Sequence, residues 1–421
     1  MLPKCRLGEY AIFIFLFTSC LSVCTLYFRN IGYLILPICC LLLLCSGSFR
    51  NIILTSYLKN IFCLFYLPMI VACLWALVKL GFVNNVFYYE YVSTSLISRM
   101  IHIGLFIIIL CGAIQVCLRC STAILRRLLL SYAWGIFILL GLMGLWQILH
   151  QTTGIWCPEI ETRSDLYFAS SLGVSRITSF ADEPSYLAPY LIDAMLVFLY
   201  FKKFIPCILL GLLLGFSLSF AGYVEVIILI VAGLFFLNVK YLIRLAVFGL
   251  LVVCVVLSFF PDLMDFFRIL LDSRKELQSG FSMEDTSRTY MLLQVISEFG
   301  NSDKVSMLIG NGPSSLNYLY NSSGGKMQFV TSNNFYVDIL YEGGIIGLSC
   351  YLLMLYIVYK YMSAFHISKN PQILIAVLFV LHLAISSTYR ADYSSERYVS
   401  IFIVLCGFIR LHNSVQQKSS L

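Results

Sequence analysis

"IHIGLFIIILCGAIQVCL", residues 101–118, runs for eighteen residues without one Asp, Glu, Lys or Arg. At the rise of an α-helix such a run is about 27 Å long, close to the thickness of a bilayer's hydrocarbon layer. Its apolar residues are continuous and do not alternate with polar ones, which excludes a transmembrane β-barrel. The pattern repeats along the whole chain. Of 421 residues 60% are hydrophobic and 12% charged, with a mean hydropathy of +0.90. Soluble domains carry about twice that share of charge. The fold class is therefore an all-α polytopic membrane protein.

Twelve spans are expected, at about 11–28, 31–48, 61–82, 101–118, 128–149, 186–201, 205–221, 223–239, 241–260, 334–359, 371–389 and 398–412. The run from Ala11 to Phe28 follows Lys4 and Arg6, as a signal peptide would. No small-x-small cleavage site follows it, so it is read as the first membrane helix. Placing the N-terminus in the cytoplasm puts Arg50, Lys59, Arg119, Arg126, Arg127, Lys202, Lys203, Lys240, Arg244, Lys360, Lys369, Arg410 and Lys418 on the inner side with Lys4 and Arg6. The only inner acid is then Glu9, which satisfies the positive-inside rule with both termini cytoplasmic.

This topology divides the chain into helices one to five (1–149), a first large periplasmic loop (150–185), helices six to nine (186–260), a periplasmic loop subdomain (261–333) and helices ten to twelve (334–421). Two smaller outer loops, about 83–100 and 388–397, complete that face. The sixteen cysteines fall almost entirely inside apolar runs, as Cys39, Cys40, Cys45, Cys73 and Cys254 do, and Cys157 alone sits in a polar loop. This is cysteine used as a small hydrophobe, so neither a disulfide framework nor a structural metal is expected. The five histidines are dispersed and form no hydrolase or metalloprotease pattern.

The chemistry is expected on the outer face. Arg163, Arg176, Arg268, Arg274, Arg288, Arg390 and Arg397 lie there, against the orienting rule, and a guanidinium fork suits phosphate oxygens. "ADEPSY" places Asp182, Glu183 and Ser185 immediately before a helix, with Pro184 suited to its first turn. Two roles stand open for these acids: capping the helix, or accepting a proton from a sugar hydroxyl. Asp193 and Glu225 lie within membrane helices, where acids are costly and face the bundle interior, within reach of outer-loop arginines. Asp338 and Glu342 share a helix face at i, i+4 spacing. Residues 289–299 read as an amphipathic helix with Arg288 at its start, and "GNGPSS" as a glycine turn able to hold an anion. That turn lacks the Lys-Ser or Lys-Thr of a P-loop, so ATP is not expected.

Three segments resemble the O-antigen polymerase and ligase superfamily, which comprises the Wzy-type polymerases and the ligases of lipid A core. They are "RITSFADEPSYLA", "SRTYMLLQVISEF" followed by "LIGNGPSS", and "NNFYVDILYEGGIIGL". The resemblance implies a GT-C-like fold in a bacterial inner membrane, with Arg176 and Arg288 on the lipid pyrophosphate, Glu183 as the base and Asp182 beside it. Ser185, Tyr290, Asn333, Asn334 and Arg390 complete the substrate-binding set. The donor and acceptor it implies are undecaprenyl-pyrophosphate-linked oligosaccharides, with membrane lipids and a chain-length regulator protein as further partners. No cofactor and no nucleic acid are implied. The ligase histidine position holds Asn333, which cannot serve as a base and favours a polymerase over a ligase. A lipid-linked oligosaccharide flippase would place cations through the membrane, whereas these arginines gather at one face. A non-catalytic assembly scaffold is the remaining alternative.

Overall fold

The structure is a computed structural model and describes residues 4–24, 26–50, 52–83, 85–158, 177–236, 288–322, 331–363, 371–390 and 395–419. Within these the chain is helical, with no named strand and one isolated antiparallel bridge, Cys24 to Ala181. The helices are α1 (Lys4–Thr18), which runs into a 3-10 turn at Ser19–Val23, and α2 (Leu26–Cys45). Then follow α3 (Ser56–Lys79), α4 (Val86–Arg119) and α5 (Thr122–Thr153), each carrying one π turn. After them come α6 (Pro184–Tyr200), α7 (Phe204–Phe216) and α8 (Phe220–Phe236). Three short helices, α9 (Arg288–Gly300), α10 (Lys304–Ile309) and α11 (Ser315–Ser322), precede α12 (Phe335–Ser363), α13 (Pro371–Ser386) and α14 (Glu396–Ser419).

Among the described residues six helices are long and apolar enough to cross a membrane, and α6, α7, α8 and α13 are shorter apolar helices. Every expected span has a helix over it except the ninth, about 241–260, which lies outside the described residues along with 159–176 and 261–287. The helix starts follow local chemistry. Thr55, Asn85 and Ser121 each turn a side-chain oxygen onto a free amide of the first turn of α3, α4 and α5.

One expectation is corrected. Residues 83–100, expected as an outer loop between spans, are helical from Val86 onward. Tyr88, Tyr91, Val92 and Leu96 recur at helical spacing and are all buried, so the aromatic residues form a packing stripe.

One large core runs through the bundle, and a small second cluster lies under the loop helices. α1 packs on α2 and α5, α6 lies among α5, α7 and α13, and α14 packs on α4. The outside is apolar too: on α2, Ile31, Leu34, Ile38 and Leu41 form one stripe and are 47 to 67% exposed. In water such a stripe would drive association; against acyl chains it costs nothing.

Candidate functional site

The segment entering α6 is pinned on three sides. The Ser179 amide donates to Gln147 Oε1 at 2.8 Å, and its hydroxyl donates to the Leu140 carbonyl at 2.6 Å. The Asp182 amide donates to the Val23 carbonyl at 3.4 Å, next to the Cys24–Ala181 bridge. Pro184 then opens the helix, at the first-turn position that needs no N–H.

Held this way, the two acids separate. Asp182 is buried, and its carboxylate takes the guanidinium of Arg29 from the first turn of α2. Glu183 occupies the N-cap position, with extended backbone, yet its side chain makes no capping bond. Instead Ser185 donates its hydroxyl to Glu183 Oε2 at 3.0 Å, and the residue stays partly exposed. Capping therefore explains neither carboxylate.

The segment after α13 closes over this entrance, with three successive residues each gripped by a different element. The Thr388 carbonyl accepts Asn334 Nδ2 at 3.0 Å. Tyr389 donates its hydroxyl to the Glu225 carboxylate of α8. The Arg390 guanidinium lies 3.6 Å from the centroid of the Tyr186 ring, a cation–π contact one turn along α6 from Glu183.

Beneath it, inside the bundle, lies a knot of fully buried charged groups. Arg397 Nε donates to Asp193 Oδ2 at 2.7 Å, and its Nη2 donates to the Ser386 hydroxyl at 3.1 Å. His382 Nε2 stands 2.8 Å from Asp193 Oδ1, and its Nδ1 stands 2.6 Å from Glu225 Oε1. Tyr132 donates to Asp193 Oδ2 at 2.8 Å. Two carboxylates are thus met by a guanidinium, an imidazole and two phenols, joining α5, α6, α8, α13 and α14. Arg397, His382, Asp193 and Glu225 are each 0% exposed. Charges so deep persist only when paired, and removing one partner from such a set costs about 3–5 kcal/mol.

The two glycine-bearing motifs dock on each other. Asn311 N donates to the Tyr341 carbonyl at 3.1 Å, and Gly312 N to the Glu342 carbonyl at 2.9 Å. The partner segment lies beside the break inside α12, where Gly344 has φ 69. A Cβ on Gly310 would lie 2.1 Å from Glu342 O, and one on Gly344 would lie 2.4 Å from Leu308 O. Both positions also have left-handed φ, so glycine is required twice over. The amides that could have held an anion are consumed: Asn311 and Gly312 by carbonyls, Ser314 and Leu316 by the Glu342 carboxylate. Lys79 at the end of α3 clamps this unit, reaching Asp303 at 2.9 Å, Ser306 Oγ at 3.0 Å and Asn311 Oδ1 at 3.3 Å. Burial alone would raise the Asp303 carboxyl, but the Ser306 amide, Lys79 and the Ser306 hydroxyl outweigh it and bring it down to about 2.

The remaining expected site residues are scattered over this end of the bundle. Asn334 caps α12, its Oδ1 accepting Val337 N at 3.2 Å. Asn333 adopts φ 56 and turns its Nδ2 toward Met291 Sδ at 3.9 Å. Tyr290 packs in a small cluster with Val295, Leu316 and Tyr341. Arg288 is the first residue of α9, and Arg176 lies outside the described residues. Asp338 is occupied by Thr331 Oγ1 at 2.6 Å and Ser332 N at 2.9 Å. Asp193 does pair with an arginine, but Arg397, expected in an outer loop, lies in the first turn of α14 and is fully buried.

Sequence reasoning passed over Arg29, Tyr132, His382 and Tyr389. Arg29 stands alone in a short turn between apolar runs, and nothing local announces its partner 153 positions away. His382 had a signal that could have been used: an ionisable side chain in the middle of an apolar helix needs a buried partner.

A helical bundle with apolar outer stripes and a charged interior at one end is the architecture of a polytopic membrane protein. Residues 205–352, about a third of the chain, are similar to the family model described as O-antigen ligase. No curated protein matches the chain. The matched stretch includes α7 to α11 and the docked glycine motifs, while Glu183 and its pinned segment lie ahead of it.

Proposed function

We propose that the protein is an O-antigen polymerase, a glycosyltransferase of the bacterial inner membrane working at the periplasmic face. Twelve spans with both termini cytoplasmic, in a GT-C-like arrangement, belong to this reading. The substrates are two undecaprenyl-pyrophosphate-linked oligosaccharides. The observation that carries it is Glu183: a carboxylate at a helix N-cap, partly exposed, free of capping duty and aligned by Ser185. Its neighbour Asp182 is neutralised by Arg29, which leaves one acid for chemistry.

In the proposed step Glu183 accepts the proton of a terminal sugar hydroxyl. The oxygen attacks the anomeric carbon of the other oligosaccharide, and the bond from that carbon to the pyrophosphate oxygen breaks. The lipid pyrophosphate leaves with the electron pair, its charge met by Arg176, Arg288 and Arg390 through preorganised electrostatics. Asn333 at the ligase histidine position favours polymerisation over transfer to lipid A core, because an amide cannot take up the proton. The test is complementation in a polymerase-deficient strain. Glu183→Gln, Arg176→Ala and Arg288→Ala should each reach the membrane and leave a single-repeat glycolipid. Wild-type ladders from all three would refute the assignment, and complete loss of surface sugar would point to a ligase.

A further inference from the structure

We infer that Glu225 and Tyr389 are positioning residues for Arg390: the buried knot fixes the segment 388–390 so that the Arg390 guanidinium stays over Tyr186, one turn from Glu183. The inference rests on the reading of this end as the substrate site. Glu225 divides its two oxygens between the two sides of the device, Oε1 facing His382 Nδ1 at 2.6 Å and Oε2 accepting the Tyr389 hydroxyl. His382 is tied to Asp193, and Asp193 to Arg397 at 2.7 Å, so Tyr389 is anchored to α6, α8, α13 and α14 at once. The segment it anchors leaves α13 in a turn, with the Thr388 and Tyr389 amides bonded back to the Ile385 and Ser386 carbonyls, while Asn334 on the Thr388 carbonyl and the Arg390–Tyr186 contact tie it to its surroundings. Tyr186 and Asp193 sit on the same helix seven positions apart, two turns, so one rigid element carries both the ring under Arg390 and the acid at the centre of the knot. An arginine presented to a phosphate must be held in one orientation to use its fork, and here the holding is done from inside the bundle.

The test uses the full-length protein in lipid nanodiscs, with undecaprenyl pyrophosphate alone as the probe. Variants of Asp193 or Arg397 are at risk of not folding, so the key variant is Tyr389→Phe, which deletes one hydroxyl. Losing a hydrogen bond to a charged acceptor should weaken probe binding about tenfold. Arg390→Ala should weaken it at least as much, and Tyr389→Phe combined with Arg390→Ala should bind no worse than Arg390→Ala alone, since the tyrosine acts only through the arginine. Tyr389→Phe also removes a partner of the buried set and should lower the unfolding temperature, so binding is read well below that temperature, on folded protein. Unchanged binding by Tyr389→Phe, or additive losses in the double variant, would overturn the inference. Glu183→Gln separates it from the reading it rests on: this variant should bind the probe normally and fail to turn over. Full turnover by Glu183→Gln with a binding loss in Tyr389→Phe would remove the catalytic assignment and leave the positioning intact.

Discussion

The guanidinium of Arg29 holds the carboxylate of Asp182, and this contact gives two adjacent acids different fates. Asp182 becomes part of the scaffold joining α2 to the entrance of α6. Glu183, one residue on, keeps a carboxylate that only Ser185 touches among the described contacts.

Asp182→Asn and Arg29→Ala should therefore act on stability. Each breaks a mostly buried, charge-assisted bond and should cost about 2 kcal/mol. The two losses should be strongly non-additive in a double-variant cycle, measured by thermal unfolding in detergent.

Asp193→Asn should be more damaging, because it leaves Arg397 and His382 facing each other at 3.0 Å without the carboxylate between them. A loss of about 3–5 kcal/mol is expected, read as a fall in unfolding temperature and in membrane yield.

Gly344→Ala should release the loop helices from α12. The added methyl meets Leu308 O at 2.4 Å and Gly310 N at 2.6 Å, both backbone atoms that cannot swing aside. Limited proteolysis should cut 300–322 faster in this variant than in the wild type. Gly300→Ala, whose methyl would enter open space, is the control.

The Lys79–Asp303 clamp predicts a pH signature. The Asp303 carboxyl is lowered from 3.8 to about 2, so its contribution is complete above the ordinary value and disappears as pH falls through the lowered one. The stability gap between wild type and Asp303→Asn should be constant near pH 6 and close as pH falls from about 4 to about 2. Asp303 is 46% exposed, so solvent screening keeps that gap below about 1 kcal/mol.

The bundle was legible because apolar runs of span length report helices directly, and each expected span within the described residues carries one. The stretch 83–100 misled because its tyrosines read equally as interfacial loop or packed helix; only the burial of Tyr88 and Tyr91 decides. At the candidate site, the local signal in "ADEPS" correctly announced a helix start at Pro184 and left capping and catalysis both open. What sets the two acids apart is Arg29, a contact across 153 positions that no local pattern encodes. The glycine turn was read as able to hold an anion because its partner, the Gly344 break in α12, lies about thirty residues on and no local pattern joins the two.

The central claim is that Glu183 is the proton acceptor in joining two lipid-linked repeat units. Purified protein in nanodiscs, supplied only with undecaprenyl-pyrophosphate-linked repeat units and chelator, tests it most directly. The wild type should build a ladder of multimers and release undecaprenyl pyrophosphate, while Glu183→Gln should fall by at least about a hundredfold, the usual worth of a general base. A ladder formed by Glu183→Gln at the wild-type rate would contradict the account.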